Sequence, residues 1–273
     1  MKEILLLTDF SKNARNAIDF ALQFFKNEKC RFHIMNVHKI GSFTADDLML
    51  ASKESIYDSI TKVPKEKLEA LVEDLKSEYN NLNHSFKTHI DFDVFVDAIS
   101  QLIKAKNIEY VVMGTNGETG AKEVLLGSNT IHVLRKVNCK TLVIPEGYTF
   151  KPSKEILLPL HPDDVIANKE FTGLLEFLET YQLHLHVLRV NPNNENSEKE
   201  QQDINDLALL DCIYNTVNTI PMDFAISSYL QTNTIDFIVL FVKKEGFLDH
   251  FFTNPNTKVS ISKISKPMLV LHI

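Results

Sequence analysis

The sequence predicts an α/β protein of two consecutive domains, each a parallel sheet with helices on its faces. Three observations predict it. The chain contains an internal repeat, its β-branched and aliphatic runs alternate with helix-length amphipathic segments, and one glycine-spaced loop follows an apolar strand in the manner of a ligand-binding turn.

The repeat sets the domain count. Lys2-Glu3-Ile4-Leu5-Leu6 recurs as Lys154-Glu155-Ile156-Leu157-Leu158 at an offset of 152, while Ala98-Ile99-Ser100, Asn129-Thr130 and Leu142-Val143 recur at an offset of 127 as Ala225-Ile226-Ser227, Asn256-Thr257 and Leu269-Val270. The second copy is therefore about 25 residues shorter. Gly147 and Pro152 mark the stretch from Pro145 to Ser153 as the linker, which places domains at residues 1–147 and 153–273.

In the first copy Ile4 to Leu7 is the opening strand, followed by Ala14, Ile18, Ala21, Leu22 and Phe25 at helical spacing with Ser11 placed to cap. Phe32 to Val37 is the second strand. The next helix carries Leu68, Leu71, Val72 and Leu75 on one face, with Pro64 starting or kinking it. Phe86, Thr88 and Ile90 alternate as a third strand, Phe95 to Ile103 is helical, and Tyr110 to Met113 is a fourth strand ending at Gly114. A helix from Ser128 to Val137 and a strand from Thr141 to Ile144 complete the unit. In the second copy the expected elements are a strand Ile156 to Leu160, a helix through Phe171 and Phe177, and strands at His184 to Val190, Ile235 to Phe241 and Met268 to Leu271. A helix is also expected over Ile204 to Tyr214, and the acidic run Glu195 to Asp206 reads as a solvated loop.

Composition narrows the function classes. The 273 residues are 44% hydrophobic, enough for two cores, and no apolar run reaches the roughly 18 residues of a membrane span. MKEILLLTDF turns acidic before any cleavage-site pattern, so the expectation is a cytoplasmic protein without membrane association. Residues 1–150 carry 19 Lys/Arg against 20 Asp/Glu, and residues 151–273 carry 10 against 16. With no basic stripe, nucleic acid is not an expected partner. Cys30, Cys139 and Cys212 form no C-x-x-C pair and read as reduced, mostly buried thiols.

The chemistry concentrates in VVMGTNGETGAKEVLLGSNT, where Gly114, Gly117 and Gly127-Ser128 are spaced G-x2-G-x9-G-S. The loop leaves the carboxyl end of a parallel strand and enters a helix, where open sheets bind ligands. Glycine permits close backbone approach, and the exposed amides at the Ser128 helix start, with the helix dipole and the Ser128 hydroxyl, favour a phosphate. Turn and cap roles for the three glycines fit the spacing too. Asp9 and Ser11 lie at another carboxyl strand end, where a carboxylate is placed to accept from a ribose hydroxyl or, equally, to cap a helix.

ILLLTDFSKNARNAIDFA, FHIMNVH and MGTNGETGAKEVLLGSNTIHVLRKVNCKTLVIPE, taken in order, resemble the universal stress protein family over residues 1–146. The resemblance implies two Rossmann-like domains of the adenine nucleotide alpha hydrolase-like kind, each a five-stranded parallel sheet flanked by helices. It implies an internal pseudo-dimer through Thr141 to Ile144 and Met268 to Leu271, with further homo-oligomers open. It also implies ATP, accompanied by magnesium, as the cofactor. Asp9 would meet the adenosine part with Ser11 beside it, the Val37 backbone would read adenine, Gly114, Gly117, Gly127 and Ser128 would hold the phosphates, and Asn129 would support them. The implied role is an adenine-nucleotide switch in stress response, read by a protein partner. Slow ATP hydrolysis and a nucleotide-free scaffold stay open as alternatives.

The second copy departs from this pattern. Asp9, Ser11, Gly114, Gly117, Gly127 and Ser128 become His161, Asp163, Phe241, Lys244, Asn254 and Pro255. Proline donates no amide and phenylalanine crowds a close approach, so only the first domain is expected to hold ATP. Gly246, Phe247, Phe251 and Phe252 read as core, with an apolar pocket or an interface as the alternative. His84, His89, Asp91 and Asp93 read as a polar edge strand rather than a metal site, and His184 and His186 share one strand face as solvated or hydrogen-bonded side chains. The sequence contains no G-x-x-x-x-G-K-[ST], G-x-S-x-G, H-E-x-x-H or G-x-G-x-x-G, and no nucleophile with its base is nominated.

Overall fold

The computed structural model describes residues 1–38, 56–115, 126–162, 164–166, 169–191, 197–242 and 265–272. Gly117, Asp163, Lys244, Gly246, Phe247, Phe251, Phe252, Asn254, Pro255 and the Asn256-Thr257 match lie outside them. The chain divides into two compact units, one built from Met1–Gly120 and Gly127–Phe150, the other with Lys151–Ile273 as its body.

The first unit is a parallel sheet in the order β3-β2-β1-β4-β5, formed by β1 (Lys2–Leu7), β2 (Cys30–Val37), β3 (His84–Asp91), β4 (Tyr110–Gly114) and β5 (Lys140–Ile144). Helices α1 (Lys12–Phe24), α2 (Ile56–Tyr79), α3 (Phe95–Lys106) and α4 (Ser128–Lys136) connect the strands. Parallel strands need such crossovers, and helices on both faces require continuous apolar strands at the centre. β1 obeys: Ile4, Leu5 and Leu6 are fully buried. α1 sets small Ala14, Ala17 and Ala21 beside Ile18 in the core. α3 stops where Asn107 turns left-handed, φ 52°, and donates its amide to the Ile103 carbonyl. Pro64 lies inside α2, which begins eight residues before it, so it does not start that helix.

The second unit repeats the order as β10-β9-β6-β7-β8, from β6 (Glu155–Leu160), β7 (His184–Asn191), β8 (Cys212–Asn218), β9 (Phe237–Val242) and β10 (Met268–His272), with α5 (Lys169–Tyr181), α6 (Ser197–Leu207) and α7 (Met222–Thr232). Strand register carries the repeat into three dimensions. Ile4 pairs with Tyr110 in the first unit, and Ile156 pairs with Phe237 in the second, the positions the two offsets connect.

Two expectations for the second copy are corrected. Residues 204–214 are not one helix, because α6 ends at Leu207 and β8 starts at Cys212. Nor is the acidic run a loop, since Ser197–Leu207 is helical. Glu198 and Glu200 occupy the first turn, where the helix dipole favours them, and Glu, Lys and Gln are good helix formers. The inward face of α6 includes Asp203, only 3% exposed and paired with a buried arginine, so it shows no full apolar stripe. β8 is the outermost strand and half-buried, with Tyr214, Thr216 and Val217 suited to a pleated surface.

All three cysteines are free. Cys30 is buried, whereas Cys139 and Cys212 are partly exposed. Burial pushes the Cys30 and Cys139 thiols up to about 12. Among the described residues no helix is long and apolar enough to cross a membrane.

Candidate functional site

In the first unit β1 and β4 are neighbours, and the chain leaves them toward opposite sides of the sheet order. Their carboxyl ends form the switch point at which open α/β sheets leave a crevice. A cavity of about 530 Å³ opens there, and Leu7, Thr8, Asp9, Met113 and Gly114 are among its lining residues.

The turn after β1 is held by its own side chains. Thr8 Oγ1 accepts from the Phe10 amide at 3.0 Å, Asp9 Oδ1 accepts from the Ser11 amide at 3.0 Å, and Ser11 Oγ accepts from the Ala14 amide at 3.1 Å. Phe10 adopts φ 65°, a left-handed conformation uncommon for a bulky residue. Ser11 is therefore the cap of α1, and it is not among the cavity-lining residues. Asp9 is exposed and lines the cavity.

Val37 presents backbone to the same space. Backbone bonds alternate sides along a parallel strand. Met35 O accepts from Thr8 N toward β1, and His38 N donates to Asp91 O toward β3. The amide and carbonyl of Val37 thus point toward β1 just beyond its last residue, Leu7, where the Thr8 carbonyl is already engaged by Asn36 Nδ2 at 2.7 Å. His38 stacks on Phe92, ring centroids 5.9 Å apart, and burial, reinforced by Lys67, lowers its pKa.

The far wall is the start of α4. Gly127 is its N-cap with φ −60° and ψ 153°, its side of the helix has no side-chain cap, and no acidic residue occupies the first turn. The Gly127 amide is bound to the Thr115 carbonyl at 2.7 Å, while Thr130 Oγ1 donates to the carbonyls of Gly114 and Thr115 at 3.2 and 3.1 Å, fixing the helix start against the end of β4. Ser128 and Asn129 are exposed and line the cavity. Uncapped amides at a helix N-terminus attract anions.

Of the residues nominated from sequence, Asp9, Val37, Gly114, Ser128 and Asn129 line this one cavity, and Gly127 caps the helix that borders it. Sequence reasoning missed His132 on α4 and the segment Phe92, Asp93, Val94 and Phe95. That segment follows β3 at its carboxyl end, so parallel-sheet topology was the signal that pointed there.

At the corresponding turn of the second unit the chemistry differs. Phe241, 1% exposed, stands where the first unit has Gly114, and His161 stands for Asp9. Arg189 takes the place of Asn36 and is completely buried. Its guanidinium grips Asp203 with two bonds of 2.7 Å and donates to the carbonyls of His161 and Asp164. Tyr214 also donates to Asp203, at 2.9 Å, and burial together with that carboxylate pushes its hydroxyl up to about 12. Lys199 donates to the Pro162 carbonyl.

The histidine groups have partners of their own. His186 Nε2 lies 2.9 Å from Glu155 and its Nδ1 lies 2.9 Å from the Tyr229 hydroxyl, while His184 lies 3.4 Å from the same carboxylate, at the start of β6. His84 approaches the Phe25 carbonyl, His89 approaches His33, and Asp91 accepts from the Phe92 and Asp93 amides on the outermost strand β3 or just past it. Among the described residues no group of three His, Cys, Asp or Glu is disposed to hold a metal ion.

A parallel α/β sheet with a crevice at its switch point, a carboxylate on one wall and an uncapped helix start on the other, defines a Rossmann-like domain. Residues 1–145 match the universal stress protein family, and the chain belongs to it. It is 27% identical over 153 residues to universal stress protein MJ0577 of Methanocaldococcus jannaschii, covering 52% of this chain and 94% of that one. The fold is similar over nearly the whole chain to a universal stress protein from Archaeoglobus fulgidus, with TM-score 0.69, 15% identity and coverage of 99% and 96%. It is also similar to a putative universal stress protein from Pseudomonas aeruginosa, with TM-score 0.60, 14% identity and coverage of 100% and 93%.

Proposed function

We propose that this chain is an ATP-binding universal stress protein that holds one nucleotide, in its N-terminal unit, and signals occupancy to a protein partner. The observation that carries the reading is the single cavity joining Asp9, the free-facing Val37 backbone and the uncapped start of α4. Adenine would read the Val37 backbone, ribose hydroxyls would donate to Asp9, and phosphates would accept from the amides and hydroxyl at Ser128 and Asn129, with magnesium supplying further charge neutralisation. In the second unit Phe241 and the Arg189-pinned turn support the absence of a second nucleotide. A bound ligand shifts a switch only through differential affinity for its states, so the partner's affinity must differ between the occupied and the empty form.

Gly127→Asp tests the reading. The N-cap backbone is extended and open to any residue, and aspartate is a favourable cap, so the fold is retained while a carboxylate takes the phosphate position. Isothermal titration is expected to give about one ATP per wild-type chain and none for the variant; undiminished binding by Gly127→Asp refutes the site.

A further inference from the structure

The charge of the cavity is at odds with its anionic ligand. Its described lining has two carboxylates, Asp9 and Asp93, and neither lysine nor arginine. Among those residues the one side chain able to carry positive charge is His132. It lies on α4 four residues after Ser128 and three after Asn129, so the three share one helix face on the cavity. Helical side chains lean toward the N-terminus of their helix, which directs the imidazole back toward the uncapped first turn. His132 is exposed, open to a ligand from the cavity side.

Among the described residues the charged groups around it are few. Asp9 and Asp93 face the cavity. The neighbouring helix α3 carries Asp97 in its first turn and Lys104 and Lys106 in its last, and α4 carries Arg135 and Lys136 at its own far end. Neither helix places lysine or arginine in the turn beside the phosphate position.

We infer that His132 selects the phosphorylated form of the ligand: its imidazolium pairs with a phosphate oxygen held at the start of α4 and offsets the repulsion from Asp9 and Asp93. This rests on the nucleotide-binding reading and adds the residue that discriminates nucleotide from nucleoside. Loss of the ring is then expected to weaken ATP and to leave adenosine unchanged.

The test is calorimetric titration of the full chain with ATP and with adenosine, for wild type, His132→Gln and His132→Arg. ATP is expected to bind His132→Gln about two- to fivefold more weakly than wild type. His132→Arg keeps tight ATP binding, and adenosine binds all three alike. Equal ATP affinity in wild type and His132→Gln, or an equal loss for ATP and adenosine, overturns the role of His132 and leaves the nucleotide reading standing. Flat wild-type titrations with ATP overturn the nucleotide reading itself and this inference with it.

Discussion

A β-carbon added to Gly114 would lie 2.7 Å from Asn13 Nδ2 and 2.8 Å from Asn13 Cγ. The bare backbone at the end of β4 is thus what lets α1 dock, with the Asn13 side chain buried against it. Glycine spacing alone assigns this residue to phosphate contact, but the nearest neighbour it makes room for belongs to the protein.

Gly114→Ala is therefore expected to destabilise the first unit by about 1–3 kcal/mol, the usual range for overpacking a filled interior. Asn13 is 4% exposed and has little room to move. Urea unfolding of Gly114→Ala, Asn13→Ala and the double variant measures the coupling. If the double variant simply adds the two single losses, the clash is not the cause.

Ser11 separates a structural from a ligand role. Its hydroxyl caps α1 through the Ala14 amide, while the contact to Asp9 is made by the Ser11 backbone. Ser11→Ala should cost about 1 kcal/mol of stability and leave ATP affinity within about twofold. A large loss of affinity at full stability would return Ser11 to the binding residues.

Arg189 gives the second unit its own test. A fully buried guanidinium with a bidentate carboxylate is costly to break, because the partner left behind stays desolvated. Arg189→Ala should lose about 3–5 kcal/mol, whereas Arg189→Met combined with Asp203→Leu should recover much of it. Thermal unfolding reads both; equal losses in the single and double variants would show that the ion pair is not what holds the His161 to Asp164 turn.

The repeat, the two sheets and five of the cavity residues were legible because local chemistry states them: buried runs such as Ile4 to Leu7, the Ser11 cap, glycines at strand ends. What stayed hidden depends on partners distant in sequence. Asp203 counts as polar in any periodicity, yet it faces inward because Arg189, 14 residues away, neutralises it, and so α6 read as solvated loop. His132 looks like an ordinary helix residue until the sheet brings Asp9 and Asp93 to the same cavity. A glycine's reason is equally invisible from sequence, since Asn13 and Gly114 meet only after α1 has folded back on β4.

Acid sensitivity follows from the pair at the other end of the first sheet. His33 Nε2 lies 2.8 Å from Glu3 Oε2, and His33 Nδ1 lies 2.8 Å from His89 Nε2. One imidazole must accept there, so two protonated rings cannot share the contact. Burial, then the charge of His33, lowers His89 from 6.5 to about 4. The folded state therefore prefers neutral His89, and the unfolded chain binds the extra proton first. Stability is fully present above about pH 6.5, falls as pH drops toward about 4, and levels off below the folded value. His89 is partly exposed, so screening reduces the loss to on the order of 1–2 kcal/mol. His89→Asn keeps an N–H donor for His33 without a titrating ring, and its urea midpoint should vary less between pH 7 and pH 4 than that of wild type. The same slope in both proteins would assign the acid sensitivity to other groups.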